Sequence, residues 1–237
     1  MGRFVFEPAE ERRRRMKLGF ILFPQVTQLD FTGPLQFLSR LPGAETHIIA
    51  KQKGPITTDS ALQLLPTHSF DEVGQMDLIC VPGGFGVKAA IGDAETRDFI
   101  AQQGGGADYV TSVCTGALLL GAAGLLQGRE ATTHWAYTDL LELCGARYKA
   151  ARVVQDGTLF TGGGVTAGID FALTVIAALK GESLAQALQL GLEYDPQPPF
   201  ESGHPIKAAP DVLARMQPIY ETPVAETAEA LQAALDH

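Results

Sequence analysis

An α/β sandwich with a mostly parallel central sheet is the fold class that this 237-residue sequence predicts. Three observations lead there. Short apolar runs alternate with stretches of helical spacing, several of the runs are apolar on both faces as buried parallel strands are, and several helical stretches end at glycine. In chain order the expected strands are "KLGFILFP", "THIIA", "DLICVPGG", "YVTSV" and "TLFTGGG". Between or after them the expected helices are "GPLQFLSRL", "AETRDFIAQQ", "TGALLLGAAGLL", "WAYTDLLELCG" and "TAGIDFALTVIAALKG". The Pro-rich "YDPQPPFESGHP" closes the compact body, and "DVLARMQPIYETPVAETAEALQAAL" supplies a peripheral helix. The expected organisation is an extension over 1–15, one α/β domain over 16–204 and a helical tail over 205–237 packed on the domain or its dimer.

Charge and cysteine content narrow the function classes. The formal net charge of −9 discourages binding to nucleic acid or an anionic membrane, both of which reward clustered Lys and Arg. The basic run Arg12–Arg15 falls in the N-terminal extension, which reads as a solvated tail. No secretory signal or membrane span is recognisable, so the protein is expected in the cytoplasm. Three cysteines, Cys80, Cys114 and Cys144, form no CxxC pair, which suits free thiols in a reducing compartment and argues against a structural metal site.

Open α/β sheets bind ligands at the carboxyl ends of their strands. Three groups of residues fall there: Asp30 in "QLDFTGP", Gly83 and Gly84 in "VPGGFG", and Cys114 in "YVTSVCTGA". Cys114 stands where a strand turns into a helix, with Gly116 and Ala117 small enough for a sharp nucleophile elbow. Amides at the helix start favour thiolate, so its pKa is expected below the free value of about 8.5. Cys80 and Cys144 read as core residues. Asp30 has two readings: a partly desolvated carboxyl that relays protons, or a helix cap or turn residue before Pro34. His134 in "ATTHWAY" is a possible partner for the cysteine or a satisfied structural histidine. Gly83 and Gly84 would bring backbone amides to a substrate on Cys114. "GFGVKA" is a weak match to a dinucleotide fingerprint, because it follows a later strand and lacks the ribose-holding acid. "TGGGVTAGID" has no phosphate-binding lysine.

The set "LGFILFP…QLDFTGP", "DLICVPGG", "YVTSVCTGALLLGAAGLLQGREATTHWAY" and "LFTGGGVTAGIDFAL" resembles the ThiJ/PfpI superfamily, and within it the isocyanide hydratases, from about Lys17 to Phe200. That resemblance implies a flavodoxin-like sandwich, a homodimer, a cysteine on a strained elbow and no cofactor. Carried over by position, Cys114 is the nucleophile, Asp30 its acidic partner and Thr115 a neighbouring hydroxyl and amide. The implied activity is that of a hydro-lyase adding water to an organic isocyanide through a cysteine thioimidate to give an N-substituted formamide. Trp135 and Tyr194 are candidates to line an apolar pocket, or else core or dimer contacts. Thr115 stands where the peptidase-like branch has histidine, and Asp30 where many members have glutamate, so peptidase, glyoxalase and deglycase activities are disfavoured. The alternative function is a non-catalytic binding domain like the sensor of AraC-type regulators; the 37 residues after Phe200 are too few for their paired helix-turn-helix units.

Overall fold

A computed structural model describes residues 15–236, and the expected N-terminal extension lies almost entirely outside the described residues. The chain runs β1 (Met16–Leu22), α1 (Gln28–Leu38), β2 (Ala44–Ala50), β3 (Ile56–Thr57), β4 (Gln63–Leu64), β5 (His68–Ser69), β6 (Leu78–Val81), α2 (Val87–Gly92), α3 (Ala94–Gly106), β7 (Tyr109–Val113) and α4 (Gly116–Ala122). It continues through β8 (Glu130–Ala131), α5 (Leu140–Leu143), β9 (Arg147–Tyr148), β10 (Val153–Asp156), β11 (Leu159–Gly162), α6 (Ala167–Lys180), α7 (Glu182–Gly191) and α8 (Pro210–Leu235).

Seven strands form the central sheet in the order β10-β11-β7-β6-β1-β2-β5. All neighbours are parallel except β10, which returns antiparallel along β11 from a turn at Gly157. Helices α1, α6 and α7 pack together on one side, and α2, α3, α4, α5 and α8 on the other. The strands are hydrophobic on both faces because both are covered. Phe20, Ile21, Leu78, Ile79 and Phe160 are fully buried, and a residue of this size contributes about 1.5–3 kcal/mol when removed from water.

Strand order reverses direction between β1 and β6. From β1 the chain moves outward to β2, whereas β6, β7 and β11 add on the opposite side. The crevice at the carboxyl ends of these strands is the topological switch point where open α/β sheets place ligands. The turns after β1, β6 and β7 all open into it.

Two sequence expectations change in detail. "WAYTDLLELCG" is not one helix: a single 3-10 turn at Trp135–Tyr137 precedes the short α5. Helix α1 starts at Gln28, before the expected "GPLQFLSRL", and contains Pro34. Asp30 therefore lies in the first turn of a helix rather than at the end of β1. An acid is favourable there, and Pro34 lacks the amide that would have bonded the Asp30 carbonyl.

Candidate active site

The turn from β7 into α4 is a strained elbow. Cys114 has a φ of +57°, a region that a residue with a Cβ enters at a cost of about 1–2 kcal/mol. The backbone around it is pinned. Its amide donates to the carbonyls of Gly162 (3.0 Å) and Gly163 (2.8 Å), and its carbonyl accepts from Thr133 Oγ1 at 2.8 Å. Directly after it, Gly116 lies so close to the carbonyls of Val81 and Pro82 that a Cβ there would collide with backbone. The turn can approach β6 this closely because position 116 has no side chain.

Asp30 is fully buried against this elbow. Its Oδ2 accepts from the Gly83 amide at 3.0 Å, while Oδ1 has no hydrogen-bond partner of good geometry. The carboxyl and the Cys114 thiol are near enough for each to shift the other's titration. Burial pushes the Asp30 carboxyl up to about 7, against the opposing pull of the Cys114 thiol and the Gly83 amide, which favour the charged form. Burial and then the facing carboxylate push the Cys114 thiol well above its ordinary value, although the amides of Thr115 and Val165 act in the opposite direction. The expected depression of the Cys114 pKa is therefore not found in the resting site. Helix-start amides are present, but loss of water and a like-charged neighbour outweigh them. Cys80 and Cys144 are also free and buried, each pushed up to about 12, mainly by burial. Neither carries the positive φ that sets Cys114 apart.

Gly83 and Gly84 are held in this constellation, in a different capacity from the one expected. The Gly83 amide is taken by Asp30, and the Gly84 amide donates to Thr115 Oγ1 at 3.0 Å. A Cβ on Gly83 would stand 2.5 Å from the Thr115 nitrogen, 2.6 Å from its Oγ1 and 2.9 Å from Asp30 Oδ2. Glycine at 83 thus lets acid, hydroxyl and elbow converge. The amides aimed at the sulfur are those of Thr115 and Val165. Val165 was not anticipated, although the "TGGGV" turn that carries it was visible as a tight loop.

His134 is buried, and burial lowers its pKa to about 4, so the ring is neutral at physiological pH. Its Nδ1 accepts weakly from the Ala136 amide at 3.3 Å, and it has no contact with Asp30 or Cys114 of the kind that would make it their proton partner. Its ring instead joins a cluster with Trp135 (5.4 Å between centroids), Tyr137 (5.8 Å) and Tyr220 (5.0 Å). Tyr220 belongs to α8 and was not foreseen. Burial, and then the neighbouring Cys114, push the Tyr137 hydroxyl up to about 12 and raise that of Tyr220 as well, so both rings lie within electrostatic reach of the elbow. Tyr194 is directed elsewhere. Its hydroxyl donates to Asp170 Oδ1 at 2.9 Å, Asp170 also pairs with Arg152, and its ring meets Phe37 edge-on.

Among the described residues, no group of three or more His, Cys, Asp or Glu is placed to hold a metal ion, and no helix is long and apolar enough to cross a membrane. The arrangement can supply a sulfur nucleophile, a carboxyl that gains and loses a proton near neutrality, and two amides facing the Cys114 sulfur.

Comparison with known proteins agrees with this geometry. The isonitrile hydratase of Pseudomonas putida is 56% identical over 198 residues, covering 84% of this chain and 87% of that protein. The crystal structure of a ThiJ/PfpI family protein from Pseudomonas syringae superposes with a TM-score of 0.90 at 39% identity, over 92% of this chain and 91% of the other. The regulator GbdR of Pseudomonas aeruginosa is 26% identical over 78% of this chain and 52% of its own length. The family model described as DJ-1/PfpI matches residues 16–178, the span that holds β1, the elbow and the Gly-rich turns. The chain belongs to the DJ-1/PfpI family.

Proposed function

We propose that the protein hydrates an organic isocyanide to an N-substituted formamide. The observation that carries this reading is the 56% identity to isonitrile hydratase across most of both chains. The buried pair of Asp30 and Cys114 supports it chemically, because the terminal carbon of an isocyanide must accept first a nucleophile and then a proton.

The reaction starts from a thiol facing a carboxylate. Cys114 Sγ bonds to the terminal carbon while its proton passes to Asp30, and Asp30 returns that proton to the carbon. The product is a thioimidate, R–N=CH–S–Cys. A water then adds its oxygen to the same carbon as Asp30 takes one of its protons and delivers it to the nitrogen. The C–S bond breaks as the carbonyl forms, the remaining hydroxyl proton returns to sulfur through Asp30, and formamide leaves. One water is consumed, nothing is oxidised or reduced, and no metal, nucleotide or redox group is required.

A carboxyl titrating near 7 is suited to this two-way traffic, since it is neither too weak a base nor too weak an acid at physiological pH. The Thr115 and Val165 amides steady charge on sulfur as the proton departs and when the C–S bond breaks. Thr115 Oγ1 acts on the Gly84 loop and holds the wall of the site in register.

We read the working form as a cytoplasmic homodimer. Free buried cysteines suit a reducing compartment, and the exposed Leu190, Phe200 and Ile206 offer apolar surface for a second copy to cover.

The test is formamide release from an aryl isocyanide, run beside methylglyoxal and a peptide, with Cys114→Ala as control. Formamide from the isocyanide alone, absent in the variant, supports the reading. The regulator similarity gives the rival reading of a ligand-binding domain. Saturable isocyanide binding without formamide would replace the hydratase with that module.

A further inference from the structure

Helix α8 lies wholly outside residues 16–178 matched by the family model, yet it borders the candidate site. One face of it carries Tyr220, Pro223 and Thr227, at the three- and four-residue spacings that stack side chains along a helix. Tyr220 meets His134, Trp135 and Tyr137 at 5.0, 5.2 and 6.2 Å between ring centroids. One turn further along, Pro223, Glu226 and Thr227 close a cavity of about 120 Å³ against Gly84, Phe85 and Tyr137. Lys88 of α2 and Glu226 of α8 span it with an ion pair of 2.6 Å.

This cavity touches the catalytic constellation at two points. Gly84 is bonded to Thr115, the residue after Cys114, and the Tyr137 ring packs on His134, whose preceding residue Thr133 bonds the Cys114 carbonyl. Neither Tyr137 nor Tyr220 uses its hydroxyl to bond another described residue. Polar tips without a partner among the described residues, on rings otherwise packed together, suit a wall facing a ligand. The lining of the cavity mixes polar and apolar groups, and the aromatic cluster borders it through Tyr137, whose ring meets that of Tyr220 edge-on.

We propose that α8 forms the substrate-selecting wall of the site, with Tyr220 as a specificity-determining residue whose ring favours a flat aromatic R group over a small alkyl one. The proposal rests on the isocyanide reading above. The shared residues 16–178 would supply the addition chemistry, while α8 selects what is brought to it.

The experiment compares kcat and KM for phenyl and methyl isocyanide in the full chain, in Tyr220→Ala, in Tyr220→Leu and in Tyr220→Phe, with circular dichroism confirming that each is folded. The aryl-to-alkyl ratio of kcat/KM should fall about 10-fold in Tyr220→Ala, chiefly through a higher KM for the aryl substrate, consistent with loss of ring-on-ring contact. Tyr220→Leu should fall in the same direction, and Tyr220→Phe should keep the ratio within about twofold, because the ring is retained. An unchanged ratio in both Tyr220→Ala and Tyr220→Leu overturns the proposal.

If the full chain hydrates neither substrate, the functional reading fails while α8 remains testable. Alkylation of Cys114 by N-phenylmaleimide and by iodoacetamide, read from the mass of the modified peptide, then decides. A threefold or greater rise in the maleimide-to-iodoacetamide rate ratio in Tyr220→Ala shows that Tyr220 walls the approach to Cys114. An unchanged ratio overturns that placement.

Discussion

The two turns that meet at the site, from β7 into α4 and from β6 into α2, solve opposite problems. The first keeps a side chain where backbone geometry disfavours one: Cys114 holds a φ of +57° and is pinned by Gly162, Gly163 and Thr133. The second has discarded side chains: Gly83 leaves room for Asp30 beside Thr115 of the elbow, and Gly84 leaves room for the backbone of Gln25, Val26 and Thr27. Strain at one turn is thus held by the openness of the other. Backbone strain of this kind persists where surrounding structure over-determines it, which is commonly at functional sites.

The contrast can be broken at either turn. Cys114→Ala keeps the backbone but removes the sulfur, and formamide production should be lost altogether, whereas Cys80→Ala and Cys144→Ala should retain most of it. Progress curves on the three purified variants check this. Asp30→Asn keeps the shape and removes the titratable carboxyl, so under the proposed proton transfer turnover should fall about 100-fold or more.

The same substitution should have the opposite effect on stability. The folded carboxyl titrates near 7 and an unfolded aspartate near 3.9, so the native chain holds a proton that the unfolded chain has released between those values. The stabilisation from that proton is full below about pH 4, is lost as pH rises through the window, and is gone above about pH 7. Asp30→Asn should therefore be more stable than the parent at pH 8, by at most about 4 kcal/mol, and should lose that advantage near pH 4. Denaturant melts at the two pH values read it directly. A variant with near-normal turnover and reduced stability would return Asp30 to a helix-start role.

Gly83→Ala attacks the second turn. Its Cβ must displace the Thr115 backbone or Asp30, so a loss of about 1–3 kcal/mol is expected together with a fall in turnover. The smallest effect isolates the strain itself. Cys114→Gly should be more stable than Cys114→Ala by about 1 kcal/mol, because glycine enters the left-handed region without the Cβ penalty. Equal melting points would mean that the elbow is not strained.

Much of the architecture was legible because it rests on local pattern. β1, β6, β7 and β11 announce themselves as apolar runs bounded by turn residues, and Cys114 falls at a strand-to-helix seam that the sequence makes visible. β10 was missed because "VVQD" is short, although the Asp156-Gly157 pair that turns it back along β11 is a hairpin signal. Asp30 stands in the first turn of α1 rather than at the end of β1, close to its helix-start reading, and Pro34 hides this because it suggests a later helix start than the one adopted.

The side of the site away from the elbow was less legible. Tyr137 and Tyr220 are 83 positions apart and meet through the docking of α8, which local periodicity cannot register. Val165 contributes a backbone amide, which leaves no mark in residue type. Tyr194 was a plausible pocket aromatic by composition, but its hydroxyl is claimed by Asp170 on α6. The direction of the Cys114 pKa was misread because a helix start is local, whereas burial and the facing acid come from distant parts of the chain.

The central claim is that the resting site holds a thiol sharing its surroundings with a carboxyl that titrates near neutrality. Titration of the thiolate's ultraviolet absorbance, in the Cys80→Ala, Cys144→Ala background with and without Asp30→Asn, tests it most directly. The account predicts no thiolate step from Cys114 below pH 9 in the Asp30 protein, and a step moved to lower pH in Asp30→Asn because a negative neighbour has been removed. A full thiolate signal at pH 6–7 with Asp30 present would contradict it.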